Sequence, residues 1–171
     1  MSEPKTAQSP AQESRSSVWR WWKSLDSDRA GRAELRRCGT PAEVAFTAAY
    51  QRLLRMLGSR LGEGDARRVA VIAAVLSHIE TEPAERATLA RRMGSAEGGD
   101  SAAPVSDSRF RHIIRTDDPE ELMRGLIRVV RQVGRTASVE PLFHDLMNWS
   151  EATRMRWAND YYEAQPRSKQ S

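Results

Sequence analysis

Apolar residues recur every three or four positions along most of the chain, which is the period of an α-helix that buries one face. No segment alternates apolar and polar residues as a half-buried strand would. The pattern predicts helices over residues 17–26, 28–37, 41–57, 65–80, 83–93, 107–116, 119–133, 139–148 and 150–164. We therefore predict an all-α fold.

The residues at several helix starts and ends support these boundaries. Thr40-Pro41-Ala42-Glu43 forms a capping box with proline at the first helical position, and Asp118-Pro119-Glu120-Glu121 repeats that chemistry. Glycines stand where three of the predicted helices should stop, at Gly58, Gly94 and Gly134.

A Gly-, Ala- and Ser-rich stretch, residues 94–106, separates the predicted helices into two groups. Such a composition favours a mobile connector. We predict two small helical bundles, residues 16–93 and 107–165, joined by this flexible connector. Residues 1–15 and 166–171 are polar and have no apolar period, so we predict disordered tails at both ends.

Composition narrows the class of protein. The 171 residues are enough for a hydrophobic core, and the single cysteine, Cys38, cannot form an intramolecular disulfide. The polar start of the chain has no apolar stretch typical of a secretory leader, and no apolar run is long enough to span a membrane. We expect a cytoplasmic protein that does not contact membranes.

The positive charge comes almost wholly from arginine. The 27 basic residues include three lysines, and the formal net charge is +4. Arginine presents a planar fork that matches phosphate oxygens and is less strongly hydrated than lysine. A GC-rich genome also enriches a protein in arginine. The arginine count alone therefore does not distinguish phosphate binding from genome composition, and the positions of the arginines are the further evidence.

Four arginines fall on one stripe of the helix predicted at 119–133 and just beyond it: Arg124, Arg128, Arg131 and Arg135. The opposite stripe is apolar: Leu122, Leu126, Val129, Val130 and Val133. No acidic residue lies between Glu121 and Glu140, so we expect the positive charge to be locally uncompensated. The arrangement favours a surface that binds a nucleic-acid backbone. The alternative is an exposed basic face without a ligand.

Other basic groups accompany this stripe. They lie around Phe110 (Arg109, Arg111, Arg115), around Leu35 (Arg29, Arg32, Arg36, Arg37) and before Trp157 (Arg154, Arg156). Bases are read mainly by arginine together with Asn or Gln, and between Glu13 and Thr136 the chain has only Gln51 and Gln132. We therefore expect backbone contacts without sequence preference.

Nothing in the sequence indicates catalysis. His78, His112 and His144 lack metal-ligand spacing, and neither a phosphate-binding glycine loop nor a nucleophile elbow occurs. The carboxylates near Asp118 could hold Mg²⁺, but at a helix start capping is the favoured interpretation. The clustered Trp and Tyr residues could stack on bases, although their helical spacing favours core packing. We expect no enzyme activity, no cofactor and no metal.

Several separated blocks, in order over residues 17–163, resemble the CasB family, the small subunit of the type I-E CRISPR Cascade complex. The blocks are Arg20-Trp21-Trp22-Lys23-Ser24-Leu25, Ala33-Glu34-Leu35-Arg36-Arg37, Ala87-Thr88-Leu89-Ala90, Ser108-Arg109-Phe110-Arg111-His112-Ile113-Ile114-Arg115, Trp149, and Arg156-Trp157-Ala158-Asn159-Asp160-Tyr161-Tyr162.

The resemblance implies a non-catalytic, all-α protein of two bundles, present in two copies within an RNA-guided complex. Its partners would be guide RNA, target DNA, the large subunit, the backbone subunits and a second copy of itself. Guide pairing would supply sequence specificity, and the basic surface would hold target DNA and the displaced strand of the R-loop.

We predict eight nucleic-acid-binding residues from the blocks and the arginine stripe: Arg37, Arg109, Arg111, Arg115, Arg124, Arg128, Arg131 and Arg154. Two other functions stay open at this point. One is a free-standing helical DNA-binding regulator, which needs a helix with base-reading side chains. The other is an adaptor whose basic face docks acidic proteins.

Overall fold

The computed structural model describes residues 15–96 and 102–167. Residues 1–14, 97–101 and 168–171, and with them most of the predicted tails and the middle of the predicted connector, lie outside the described residues. The helices are α1 (Ser17–Ser24), α2 (Arg29–Arg37), α3 (Pro41–Ala45), α4 (Ala48–Leu57), α5 (Asp65–Ser77), α6 (Leu89–Gly94), α7 (Asp107–Arg115), α8 (Pro119–Gln132), α9 (Val139–Met147) and α10 (Glu151–Ala164). The all-α prediction is confirmed.

Side-chain caps set most helix starts. The hydroxyl of Thr40 accepts the N–H of Glu43, and the carboxylate of Asp118 accepts the N–H of Glu121, as both capping boxes predicted. The predicted helix 41–57 is wrong because it is two helices. The Thr47 hydroxyl donates to the carbonyl of Val44 at 2.8 Å and accepts the N–H of Tyr50 at 3.2 Å, so it starts a new helix.

The predicted helix 83–93 is also wrong in its first half, because α6 begins at Leu89 after the Thr88 cap. The segment before α6 is held by long-range contacts of Thr81 and Glu82 and not by helical hydrogen bonds. Thr81 forms an isolated bridge with Thr136, and the Glu82 carboxylate accepts the N–H of Val139 at 3.0 Å and the indole N–H of Trp19 at 2.9 Å. These long-range bonds, which no local pattern reveals, keep residues 83–88 irregular.

Helix α5 lies at the centre of the molecule. Its residues from Val69 to Ser77 are buried on every side, and α2, α3, α4, α8 and α9 pack around it. Helix α6 packs against α10 at the other side of the core. Buried apolar residues from both sides of the predicted connector belong to one hydrophobic cluster. The division into two bundles stays a prediction.

The described ends of the predicted connector are tied to the core. Val105 is buried, its N–H donates to the carbonyl of Met93 at 3.2 Å, and its carbonyl accepts the hydroxyl of Tyr161 at 2.6 Å. Both flanks of the connector that the structure describes are therefore packed.

Most of the clustered aromatic residues form core, as their helical spacing predicted, whereas Tyr162 is 43 % exposed. Trp21, Trp22 and Trp157 are buried, and each indole N–H has an acceptor: the carbonyls of Ala49 and Ile79, and the Asp145 carboxylate. These hydrogen bonds satisfy the polar atom that each ring takes out of water.

Candidate nucleic-acid interface

Helices α7 and α8 lie side by side, and a groove runs between them. Gly125 of α8 faces α7, and a Cβ on it would lie 3.4 Å from Cγ1 of Ile113, at van der Waals contact. The groove is lined by polar and basic side chains from both helices: Ser106, Ser108, Arg109, His112, Glu121, Arg124 and Arg128. The fold thus brings together three of the predicted binding residues from two separate sequence blocks.

The arginines of this groove differ in their partners. Arg124 pairs with Glu120 at 2.5 Å, one helical turn earlier, so the expectation of uncompensated charge is wrong for that residue. Arg109 and Arg128 have no ion pair with any residue that the structure describes, and Arg128 is exposed. Arg131, one turn further along α8, is exposed and equally free of acidic partners within residues 15–96 and 102–167. These three arginines are available to a ligand.

Arg135 does not continue the stripe, which corrects the prediction for its fourth member. Helix α8 ends at Gln132, and Gly134 and Arg135 both adopt positive φ, 73° and 58°. The backbone therefore turns away from the helix axis. The Arg135 side chain reaches instead towards Glu80, with its Nε 3.8 Å from a carboxylate oxygen.

The arginines of α7 point in different directions. Arg111 pairs with Asp107 at 3.0 Å and donates to the hydroxyl of Tyr162 at 3.2 Å. The hydrogen bond to Tyr162, followed by the charge of Asp107, raises the pKa of Arg111. Arg115 is exposed and has no ion-pair partner among the described residues. Neither residue lines the α7–α8 groove.

Arg154 lies in a second groove and Arg37 in none of those described. The guanidinium of Arg154 lies 5.5 Å from the centre of the Trp149 ring and 2.5 Å from a carboxylate oxygen of Asp117. This second groove, formed by residues of α5 and α8 to α10, also contains two arginines that the sequence reasoning missed, Arg67 and Arg68. They are adjacent in sequence near the start of α5, and this pair of neighbouring arginines is the sequence feature that could have indicated a basic surface there. Arg37 is exposed at the end of α2, away from both grooves.

His78 lies at the end of α5, near the arginines at the ends of α2 and α8 and in the turn beyond α8. It is 1 % exposed, and neither ring nitrogen has a hydrogen-bond partner among the described residues. Burial lowers the pKa of His78 to about 4, and the positive charges of Arg131, Arg36 and Arg135 act in the same direction. The imidazole is therefore neutral at neutral pH.

This buried histidine predicts a loss of stability in mild acid. The folded-state pKa of about 4 lies below the unfolded value of 6.5, so below pH 6.5 the unfolded chain binds a proton that the folded chain excludes. We expect the free energy of unfolding to fall by up to about 3 kcal/mol between pH 6.5 and 4 through this group. Urea unfolding of the wild type and of His78→Gln across that range measures it, and equal pH dependence in the two proteins contradicts the assignment.

Across residues 15–96 and 102–167, none of the helices has the length and apolar character needed to cross a bilayer.

Comparison with known proteins agrees with the resemblance noted from the sequence blocks. Residues 31–162 match the family model described as CRISPR-associated protein Cse2. A search of curated proteins gives no match. The fold is similar to a chain in the crystal structure of E. coli Cascade bound to a PAM-containing dsDNA target, with a TM-score of 0.67 and 19 % sequence identity, covering 86 % of this chain and 93 % of that chain. The family match includes most of the described helices, and on this evidence the chain belongs to the Cse2 (CasB) family of CRISPR-associated proteins.

Proposed function

We propose that the protein is a non-catalytic subunit of a type I-E CRISPR Cascade complex that binds nucleic-acid backbone without sequence specificity. In this role it stabilises target DNA and the displaced strand of the R-loop during antiviral defence in the cytoplasm. Family membership and the similarity to a chain of E. coli Cascade support assembly into such a complex. The proposed partners are guide RNA, target DNA, the large and backbone subunits, and a second copy of the chain.

The observation that carries the binding role is the set of arginines without acidic partners at the α7–α8 groove. Arg128 and Arg131 are exposed on one face of α8, and Arg109 faces the same groove from α7. A solvated helix face usually balances such charges with acidic residues one turn away. Here the fold keeps the guanidinium groups available, and their planar donors suit phosphate oxygens.

We expect the arginines of this surface to contribute unequally to phosphate binding. Arg124 must share its guanidinium with Glu120, so a phosphate there competes with an existing carboxylate. Arg128 and Arg131 have no such competitor among the described residues. Residues 124–131 span about 10 Å of helix, at about 1.5 Å per residue, so the surface is long enough for more than one phosphate.

Salt dependence tests the proposal directly. We expect Arg128→Ala and Arg131→Ala each to reduce the slope of log K against log salt by about 0.7 to 0.9, because each removes one phosphate contact and its released counterion. Arg124→Ala should change the slope less. The measurement is fluorescence anisotropy with single-stranded DNA, duplex DNA and RNA of scrambled sequence.

The matched control is Arg55→Ala on α4, an exposed arginine outside both grooves. It should leave the slope unchanged. Slopes that stay the same in the α8 variants would remove this helix from the interface. A strong preference for one duplex sequence would favour the regulator, and no binding at low salt would favour the adaptor.

A further inference from the structure

A second group of arginines surrounds the buried His78 where α2 and α5 end and the chain leaves α8. Arg36 comes from the last turn of α2, Arg131 from the last turn of α8, and Arg135 from the turn beyond it. All three lie close enough for their charges to act on the His78 ring. Only Arg131 belongs to the predicted binding surface of α8.

The group has more positive than negative charge. One carboxylate oxygen of Glu80 serves two arginines, at 3.4 Å from Nη2 of Arg36 and 3.8 Å from Nε of Arg135. Arg131 has no acidic partner among the described residues. The neighbouring Arg32 is already paired, at 3.1 Å, with Asp26. Two guanidinium groups therefore share one carboxylate, whose side chain is 52 % exposed, and the third has none within the described part of the chain.

Hydrogen bonds to backbone groups hold the Arg36 side chain and the Arg135 backbone in place independently of any counter-ion. Arg36 donates from Nε to the carbonyl of Ser77 at 2.8 Å. The Arg135 N–H donates to the carbonyl of Val130, and its carbonyl accepts the N–H of Glu80, each at 2.8 Å. Arg135 adopts a φ of 58°, which L-residues rarely do, and its Nη1 is buried without a hydrogen-bond partner among the described residues. A left-handed residue fixed in this way indicates a pre-organised site.

We propose that this cluster binds one phosphate group, held by the guanidinium groups of Arg36, Arg131 and Arg135. Guanidinium forks bind phosphate in bidentate fashion, and the single negative charge of a backbone phosphodiester offsets part of the excess positive charge of the cluster. The inference rests on the proposed function only for the origin of that phosphate, which we assign to the backbone of a bound strand. The site extends the α8 surface beyond its last turn towards α2.

His78 reports on occupancy of this site. The three arginines repel a proton from its ring, so a bound phosphate that offsets their charge raises the proton affinity of His78. By linkage, phosphate then binds more tightly as the pH falls towards the His78 pKa. His112 lines the α7–α8 groove, and His144 lies on α9 outside it, so the three histidines distinguish the sites.

The experiment is NMR titration of the three histidine rings in the full-length protein, with inorganic phosphate in one arm and a scrambled single-stranded DNA in the other. A third arm uses the same DNA with an uncharged methylphosphonate backbone. We expect phosphate and DNA each to shift the His78 resonance and raise its pKa, with DNA acting at a lower concentration, and the uncharged strand to do neither.

Arg131→Gln and Arg135→Gln should each weaken the phosphate effect on His78 by at least about tenfold, and Arg55→Gln should leave it intact. Arg131 is exposed, so its variant also tests the site if the Arg135 variant fails to fold. Shifts at His78 with phosphate but not with DNA would support the phosphate site and contradict the proposal that the phosphate belongs to a nucleic-acid backbone. Shifts at His112 without His78 would overturn the site and leave the proposed function standing, and no response at any histidine would contradict both.

Discussion

Gly94→Ala is expected to destabilise the protein by about 3 kcal/mol or more. Gly94 is the last residue of α6 and is buried against α10. A Cβ on it would lie 2.2 Å from the carbonyl oxygen of Tyr161 and 3.1 Å from the carbonyl carbon. Both atoms are backbone, so no rotamer change relieves the overlap and the two helices must separate.

Separation of α6 and α10 disturbs a dense part of the core. Tyr161 stacks on Phe110 with ring centroids 4.0 Å apart, and its hydroxyl donates a hydrogen bond to the carbonyl of Val105. The expected loss includes these contacts as well as the overlap itself. For a chain of this size it corresponds to a fall in Tm of about 6 to 12 °C, to be measured by calorimetry and urea unfolding.

Gly125→Ala provides the control, because it makes the same chemical change within a helix. There the nearest atom to the new Cβ is Cγ1 of the Ile113 side chain at 3.4 Å, which is a van der Waals contact and not an overlap. Helix propensity alone favours alanine over glycine by up to about 1 kcal/mol at either position. A Gly94→Ala protein as stable as Gly125→Ala would show that the α6–α10 approach is not limited by Tyr161.

Gly94 also illustrates what the sequence could predict about the fold. A glycine after an apolar period predicts a helix stop, and α6 does end at this residue. Its backbone contact with Tyr161 could not be predicted, because that partner is distant in sequence. The caps at Thr40 and Asp118 were predictable because every atom they need lies within four residues.

The errors in the helix predictions have the same cause. The apolar period runs without a break from residue 41 to 57, whereas the Thr47 hydroxyl, which can cap or point to solvent, decides the split between α3 and α4. Glu82 holds the segment before α6 through bonds to Trp19 and Val139, whose positions depend on the whole fold.

The candidate site was predictable to the extent that it follows helical period. The stripe of Arg124, Arg128 and Arg131 opposite an apolar face is a property of α8 alone, and the structure has it. Gly134 predicts a helix stop, but the position of the Arg135 side chain beyond it depends on Glu80, which is distant in sequence. The meeting of Arg109 with this stripe depends on how α7 packs on α8, which only the tertiary structure gives.

The double variant Arg128→Glu/Arg131→Glu is expected to weaken binding to scrambled single-stranded DNA at about 0.1 M salt by at least about 100-fold. It removes two phosphate contacts and places two carboxylates where the strand lies, so the salt slope should also fall by about 1.4 to 1.8. Both arginines are exposed and lack acidic partners among the described residues, so stability should change by less than about 1 kcal/mol. Circular dichroism and thermal unfolding check that the fold is retained.

The control for this variant is Arg55→Glu/Arg60→Glu, since two Arg→Glu changes take the formal net charge from +4 to 0 in either protein. Arg55 and Arg60 are exposed and lie outside the α7–α8 groove. Binding that depends on a local surface is lost only in the α8 variant, because salt screens more distant charges within about 10 Å at moderate ionic strength. Equal losses in the two proteins would mean that net charge alone attracts the strand, and the assignment of the interface to α8 would then be wrong.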